Sequence, residues 1–386
     1  MSLSERYSSN RQTKFLRAIC ACVLLGILVA GLWPFHAPRN AVSWLGEGNG
    51  VLLGKHGSIL SANPFKVRAA QENNSCSLEI WLEPSRLDSG GMILAFYLPE
   101  SRAVPFALRQ FRGGLVLEHK SQGSSIRKTE IYVGDVFSGL KPVLVTITSS
   151  EAGTATYADG TLLKRVPNFA ISNRDLTGQF VLGSAPTTAY SWSGQMKGLA
   201  IYDRELSAAE VSQGFVARTK GGQPDSATGQ DVAARYRFDE GKGNVIRNQV
   251  DSATNLLIPT RFFILSPQFL ERPWDEFRPG WSYWKDVAVN VVGFIPLGLF
   301  FYAYFSQVRK TEHPAALTIF LGFAVSLTIE VLQAFLPTRD SGMTDLITNT
   351  FGTAVGVMAF RHKAVQAVLA AARVGTQKSG VSTQAI

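Results

Sequence analysis

The chain has 386 residues, of which 46% are hydrophobic and only 17% are charged. This length is enough for two domains, and the low charged fraction argues against a wholly soluble protein. A net charge of +9 suits either nucleic acid or anionic lipid as a partner. Because many of the cations stand beside apolar segments, we expect membrane lipids as the partner and exclude nucleic acid.

The three cysteines cannot build a disulfide framework. Cys20 and Cys22 lie inside the first apolar segment, which leaves Cys76 alone in the middle of the chain. An exported domain with a single thiol has no internal partner for it, so its hydrophobic core must stabilise that domain. We expect Cys76 to be a small buried apolar residue. The histidines have no metal-ligand spacing, and neither a metal nor a cofactor is predicted.

Four apolar segments are candidates for helices that cross a lipid bilayer, which takes about 20 residues. They are Phe15 to Trp33, Val287 to Phe305, Ala315 to Leu336 and Leu346 to Phe360. The fourth is the shortest, and its threonines and asparagine need partners inside a helical bundle. The first also fits a cleavable signal peptide, but no small-x-small cleavage site precedes Trp33, so we interpret it as an uncleaved anchor.

The lysines and arginines near these segments predict how the chain is threaded, because membrane proteins keep basic residues on the cytoplasmic side. The basic residues before the first segment, between the second and third, and after the fourth are Arg6, Arg11, Lys14, Arg17, Arg309, Lys310, Arg361, Lys363, Arg373 and Lys378. The loop between the third and fourth segments contains a single basic residue, Arg339. We therefore predict a multi-pass protein of a bacterial inner membrane with both termini in the cytoplasm and residues 34–285 exported.

Between about residues 40 and 250 the pattern is typical of β-structure. Residues 77–83 and 142–148 alternate between apolar and polar side chains, and Asp159-Gly160 is a turn signal between two short strands. Many short strands separated by turns indicate an all-β sandwich. One helix is predicted over Ser207 to Phe215, where Ser207 and Glu210 form a capping box.

This region resembles the laminin-G-like domains of the concanavalin A-like jelly roll. Residues 192–211 are similar to the closing segment of that family, and the turn at 157–160 and the strand at 78–82 match it as well. Residues 234–243 resemble the family's opening strand but stand at the end here, a permutation that adjacent termini permit. The resemblance implies glycan or protein binding, with a plain spacer as an equal alternative. A glucanase is disfavoured, because no Glu-x-Asp-x-x-Glu string offers the paired carboxylates.

The last third of the chain carries a second resemblance. Residues 286–298, Glu330 to Gln333, Arg339-Asp340 and residues 345–352 are together similar to the VanZ-like membrane family, whose best-known relatives are linked to teicoplanin resistance. The resemblance covers about residues 255–362 and implies that the first apolar helix belongs to the same module. Residues 255–270 are apolar but contain two prolines, which predicts an interfacial or re-entrant piece rather than a span.

The polar residues of this module form pairs that share helix faces and reach a similar depth. The candidate ligand-binding residues are Asp286, Asn290, Glu330, Gln333, Arg339, Asp340, Asp345 and Asn349. Ionisable groups inside a membrane are costly and usually functional. One hypothesis is a pocket at the outer face, in which Arg339 holds a phosphate and the acids bind a proton, a metal ion or sugar hydroxyls. The other is a structural network in which the carboxylates form salt bridges with Arg339.

The predicted architecture is an all-α bundle of four transmembrane helices with an all-β jelly-roll sandwich as ectodomain. In chain order it comprises residues 1–36 (cytoplasmic segment and first helix), 40–250 (sandwich), 255–362 (the other three helices) and 363–386 (cytoplasmic tail). The leading hypothesis is a protein that binds an envelope polysaccharide or a polyprenyl-linked glycan. The alternatives are an enzyme that acts on polyprenyl-phosphate-linked glycans, for which the sequence offers no evident nucleophile, and a scaffold of a polysaccharide export complex.

Overall fold

The structure is a computed structural model, and it describes residues 3–66, 74–120, 128–219, 231–277 and 279–362. The chain divides into two compact units. The helical unit combines Met1–His36 with Gln268–Ile386, and the sandwich unit is Ala37–Pro267. The predicted cytoplasmic tail lies outside the described residues.

The described part of the sandwich unit has sixteen strands in two antiparallel sheets. In chain order they are β1 (Val42–Trp44), β2 (Val51–Leu53), β3 (Ile59–Ser61), β4 (Cys76–Pro84), β5 (Gly90–Tyr97), β6 (Phe106–Phe111), β7 (Gly114–Lys120), β8 (Lys128–Val133), β9 (Val143–Ser150), β10 (Gly153–Ala158), β11 (Thr161–Val166), β12 (Gln179–Leu182), β13 (Gly194–Tyr202), β14 (Val232–Tyr236), β15 (Val245–Ile246) and β16 (Leu256–Leu257). The first sheet has the order β1-β2-β13-β4-β9-β10-β11, with β14 also paired to β13. The second has the order β15-β16-β3-β12-β5-β6-β7-β8.

The core of the sandwich is built from the inward-facing residues of both sheets. Alternate side chains of a strand point to opposite faces, and the apolar set of β4, Leu78, Ile80 and Leu82, is buried accordingly. Trp192 is 1% exposed and donates its indole N–H to Gln110 at 2.6 Å, so its polar atom is satisfied. Cys76 is buried, as predicted, and burial raises the pKa of its thiol.

The predicted local elements of the sandwich are confirmed. Residues 77–83 lie in β4, the second predicted segment lies in β9 from Val143 onwards, and the predicted hairpin is the pair β10–β11. Its two turn residues, Asp159 and Gly160, have φ of 49° and 77°. Positive φ at both central positions is the geometry that matches the twist of the flanking strands.

The sandwich extends beyond the residues predicted for it. Leu256 and Leu257 form strand β16, which pairs with β3, and Phe262 is fully buried within the same unit. The prediction of an interfacial or re-entrant segment over residues 255–270 is therefore wrong for its first half. Its apolar residues pack into the core of the sandwich, and hydropathy alone cannot distinguish such core residues from residues that face lipid.

The predicted helix after β13 is α2 (Ala208–Thr219). The capping box is present, since Ser207 and Glu210 exchange hydrogen bonds between side chain and backbone. Arg204 pairs with Glu210, and the guanidinium is the main cause that lowers the pKa of this carboxyl to about 2. At the other end of the helix, Arg218 bonds the buried Glu79 at 3.0 Å.

Replacing Glu210 by glutamine is expected to lower the melting temperature at neutral pH but not in strong acid. Glutamine keeps one oxygen for the capping box and removes the charge and one of the two acceptors that face Arg204. Because the pKa of Glu210 is lower in the folded state, its contribution is complete above about pH 4.5 and is lost as the pH falls towards about 2. The pair is partly exposed, so we expect a difference of about 2–4 °C at pH 7. Melting curves of both proteins from pH 7 to pH 2 measure it; a difference that persists in acid contradicts the assignment.

The described helices of the helical unit are α1 (Leu3–Leu32), α3 (Pro273–Glu276), α4 (Trp281–Ala303), α5 (Pro314–Gln333) and α6 (Met343–Arg361). A π-helical turn, Tyr304–Arg309, continues α4. Three of the described helical stretches are long and apolar enough to cross a membrane: Thr13–Leu32, Trp281–Arg309 and Pro314–Gln333. The fourth predicted segment is helical as α6, but its composition does not place it among these three.

Candidate functional site

Most of the predicted ligand-binding residues lie around the start of α6. Glu330, near the end of α5, is 1% exposed and accepts the backbone N–H of Gly342 at 2.8 Å. The buried Ser341 also hydrogen-bonds this carboxylate. The first N–H groups of a helix have no partner within the helix, and its N-terminus carries partial positive charge. Glu330 therefore satisfies one of these free donors of α6 from a neighbouring helix.

The segment before α4 completes the cap. The backbone carbonyl of Glu271 accepts the N–H of Met343 at 2.9 Å, and the Glu276 carboxylate accepts the N–H of Thr344 at 3.2 Å. A Cβ added at Gly342 would lie 1.6 Å from a Glu276 oxygen, so a larger residue there would displace the Glu276 carboxylate from the cap. Two carboxylates thus converge on one helix N-terminus, whose backbone donors offset part of their mutual repulsion.

Amide side chains connect the helices at and below this level. Asn290 of α4 donates to Asp345 of α6 at 2.7 Å. One turn further along α6, Asn349 donates to the hydroxyl of Ser326 on α5 at 3.0 Å. Hydrogen bonds of this kind join helices where lipid offers no competing partner.

Gln333 makes the corresponding connection from α5 to α1, because it donates to the carbonyl of Gly31 at 2.8 Å. Within the described residues, the remaining amide oxygens of Gln333 and Asn349 are buried and have no hydrogen-bond partner.

Arg339 is not paired with the acids as the network hypothesis predicts. Its guanidinium donates to the carbonyl of Trp33 at the end of α1, and among the described residues no carboxylate forms an ion pair with it. Asp286 and Asp340 are exposed. The structure thus brings the other five predicted residues into contacts between helices or with the α6 cap, and leaves these two apart.

The contacts define what the cluster can do chemically. Its acids accept hydrogen bonds from backbone or amide donors, and no described group of three His, Cys, Asp or Glu side chains is placed to hold a metal ion. Glu330 and Asp345 hold α6 against α5 and α4. Asp286 and Asp340, by contrast, are exposed to solvent.

Two features of this region were not predicted from the sequence. Glu276 caps α6 although it stands far from the polar motifs. A glycine seam also joins α4 to α6: a Cβ on Gly352 would lie 2.2 Å from the carbonyl oxygen of Val291, and one on Gly356 would lie 2.2 Å from that of Ile295. The spacing Gly-x-x-x-Gly was visible in the sequence and indicates close helix packing in membranes.

Comparison with known proteins identifies both parts of the chain. Residues 236–366 match the VanZ/LLP1 family model, and residues 54–212 match the model of the concanavalin A-like lectin/glucanases superfamily. No curated protein matches the chain.

Among solved structures, a Bacteroides ovatus protein described as carbohydrate-binding aligns with 13% identity over 57% of this chain and 58% of its own, with a TM-score of 0.37. The receptor-binding domain of botulinum neurotoxin type G aligns with 14% identity over 47% and 45%, with a TM-score of 0.35. The chain spans about half the length of these solved structures. By its two family matches, the chain combines a VanZ-like segment with a laminin-G-like, concanavalin A-like domain.

Proposed function

We propose that this protein is a multi-pass protein of a bacterial inner membrane whose laminin-G-like domain binds a cell-envelope glycan or lipid-linked sugar outside the cytoplasm. The observation that carries the proposal is the order of the chain. A domain that matches a lectin superfamily, residues 54–212, is inserted between two helices that are each apolar enough to span a membrane. Such an insertion tethers the sandwich to one membrane surface at both of its ends.

The direction of threading follows from the basic residues. Lys14 and Arg17 precede the apolar part of α1, and Arg309 and Lys310 follow α4, while the loop after α5 has only Arg339. Basic residues mark the cytoplasmic side. The sandwich and the start of α6 are then both on the exported side.

The proposal requires α6 to be the fourth span. Its 19 residues give a helix of about 28 Å at about 1.5 Å per residue, close to the roughly 30 Å of a bilayer core. The residues that lower its hydropathy, Asn349 and Thr353, are buried against α5 rather than turned towards lipid. A helix packed in this way can cross the membrane with a less apolar composition.

In this arrangement the polar cluster lies at the outer membrane face. Asp286 and Asp340 are exposed there, and carboxylates are good acceptors for sugar hydroxyls. The role proposed for the cluster is to meet the polar head of a lipid-linked glycan. Glu330, Asp345 and the amides hold the helices beneath it in register.

Reporter fusions and glycan binding together test the proposal. Alkaline phosphatase should be active when inserted at Gly160 or Gly342, and a cytosolic fluorescent reporter should be active at Lys310. The full-length protein in detergent should bind at least one glycan of an immobilised envelope-glycan panel and should not bind the uncoated surface. Cytosolic placement of Gly342 or Gly160 overturns the topology, and a panel without any binding overturns the ligand class.

A further inference from the structure

Three aromatic side chains are exposed in a row at one end of the second sheet. Phe111 closes β6, Tyr132 lies on β8, and Tyr190 lies in the loop before β13. Their exposed fractions are 45%, 47% and 41%. A folded protein normally buries much of an aromatic ring, so three adjacent rings left in water need an explanation. We refer to Tyr190, Phe111 and Tyr132 as the aromatic row.

Glycines on the two flanking strands make room for the row. Phe111 is paired with Gly90 on β5 and with Gly114 on β7. A Cβ on Gly90 would lie 2.5 Å from the Tyr190 hydroxyl, and a Cβ on Gly114 would lie 2.6 Å from the Tyr132 ring. Each tyrosine side chain therefore packs over a glycine of the neighbouring strand, where a larger residue would leave it no room. Since neighbouring strands are about 4.8 Å apart, the row extends about 10 Å across three strands.

The row has a fixed geometry. The rings of Phe111 and Tyr132 are 6.1 Å apart and nearly perpendicular. The guanidinium groups of Arg109 and Arg112 lie 5.9 and 5.5 Å from the centre of the Phe111 ring, which is within the range of cation–π contacts. Phe111 and Tyr132 are thus held in place before any ligand binds, which lowers the entropy cost of binding.

Polar groups with balanced charge lie directly beside the row. Arg109 forms ion pairs with Glu118 and Glu130, and it remains 20% exposed while Glu130 is 40% exposed. Arg112, on the turn after Phe111, is exposed. These two arginines and two glutamates present both donors and acceptors, and the charges within this set of four cancel. Lys164 reaches the edge of β8, where it donates to the backbone carbonyl of Tyr132 at 2.8 Å.

We propose that the aromatic row is the glycan-binding surface of the sandwich and that its ligand is a neutral, hydroxyl-rich saccharide chain. This inference rests on the proposed function. The apolar face of a sugar ring packs on an aromatic ring. The hydroxyls of the sugar form hydrogen bonds with the planar guanidinium and carboxylate groups of arginine and glutamate. A row of three rings suits a ligand that repeats along its length. An acidic polymer fits less well, because Glu130 would face it.

Single substitutions in the full-length protein test the surface. Phe111→Ala, Tyr132→Ala and Tyr190→Ala are measured beside Tyr132→Phe, which keeps the ring, and Phe263→Ala, which removes an equally exposed aromatic of the sandwich unit. The probes are neutral oligosaccharides of glucose, galactose and N-acetylglucosamine, with uronate-bearing oligosaccharides as a second series. Melting temperatures establish that each variant is folded.

The expected result is binding of a neutral oligosaccharide that each alanine variant weakens at least about tenfold, with Tyr132→Phe and Phe263→Ala close to the unaltered protein. If the unaltered protein binds a neutral glycan and folded alanine variants bind it equally well, the aromatic row is not the site and the proposed function stands. Binding of uronate-bearing glycans alone overturns the neutral ligand. Failure to bind any glycan overturns both proposals.

Discussion

Gly352→Ala is expected to remove most of the folded protein from the membrane, whereas Gly293→Ala is not. The Cβ of an alanine at position 352 would lie 2.2 Å from the carbonyl oxygen of Val291, a backbone atom that cannot rotate away. The two helices would have to separate by more than 1 Å. Overpacking of this kind costs about 1–3 kcal/mol or more, and the contacts of Gly298 and Gly356 in the same seam would be strained with it.

Gly293 is the matched control because it lies on α4 and has no heavy atom within 4 Å of an added Cβ. Alanine favours a helix over glycine by about 1 kcal/mol, so Gly293→Ala should keep or raise the melting temperature. Fluorescence-detected gel filtration in detergent, before and after heating, gives the amount of folded protein and the melting temperature of each variant. Equal melting of the two variants would mean that α4 and α6 are not packed through this seam.

The sequence predicted those parts of the fold that depend on local patterns. Period-two alternation located β4 and β9, the Asp159-Gly160 turn located a hairpin, and the capping box located α2. These signals are local because turn geometry and strand periodicity are properties of a few consecutive residues. The two family resemblances are confirmed by the model matches.

Contacts between residues that are far apart in the chain could not be predicted from such local patterns. The aromatic row joins β6, β8 and the 185–190 loop, which are far apart in sequence and meet only through strand order. The sequence predicts Arg339 as the partner of the acids because it is the cation nearest to them in the chain. The structure places its guanidinium on the Trp33 carbonyl instead. Glu330 accepts a backbone N–H group and Asp345 accepts the side-chain amide of Asn290, and no sequence pattern reveals these pairings.

The packing of α6 explains why it is not among the three described helical stretches that are apolar enough to cross a membrane. In a bundle, one face of each helix is turned to its neighbours and is free to carry small or polar residues. On α6 this face holds Asp345, Asn349, Gly352, Thr353 and Gly356. Average hydropathy over such a helix falls although the face that would meet lipid stays apolar, as with Ile347 and Phe351, which are more than half exposed.

Glu330→Ala is expected to destabilise the helical unit strongly, while Glu330→Gln is expected to leave it folded. The alanine variant leaves the Gly342 N–H buried without an acceptor, which costs about 1–3 kcal/mol, and it removes buried methylene groups worth about 0.8 kcal/mol each. Glutamine still offers an oxygen to the Gly342 N–H, which Glu330 now accepts at 2.8 Å. The exposed Glu312 is the matched control, and Glu312→Ala should change stability by less than about 0.5 kcal/mol.

The two Glu330 variants also separate the structural role from a ligand-binding role. Melting temperature in detergent reports the first, and binding of a polyprenyl-phosphate-linked sugar reports the second. If Glu330 only caps α6, the glutamine variant should melt and bind like the unaltered protein, because the cap needs an acceptor and not a charge. A glutamine variant that melts normally but no longer binds would assign the negative charge itself to the ligand. An alanine variant as stable as the unaltered protein would contradict the cap, and α6 would then have to be held by the Glu271 and Glu276 contacts and the glycine seam alone.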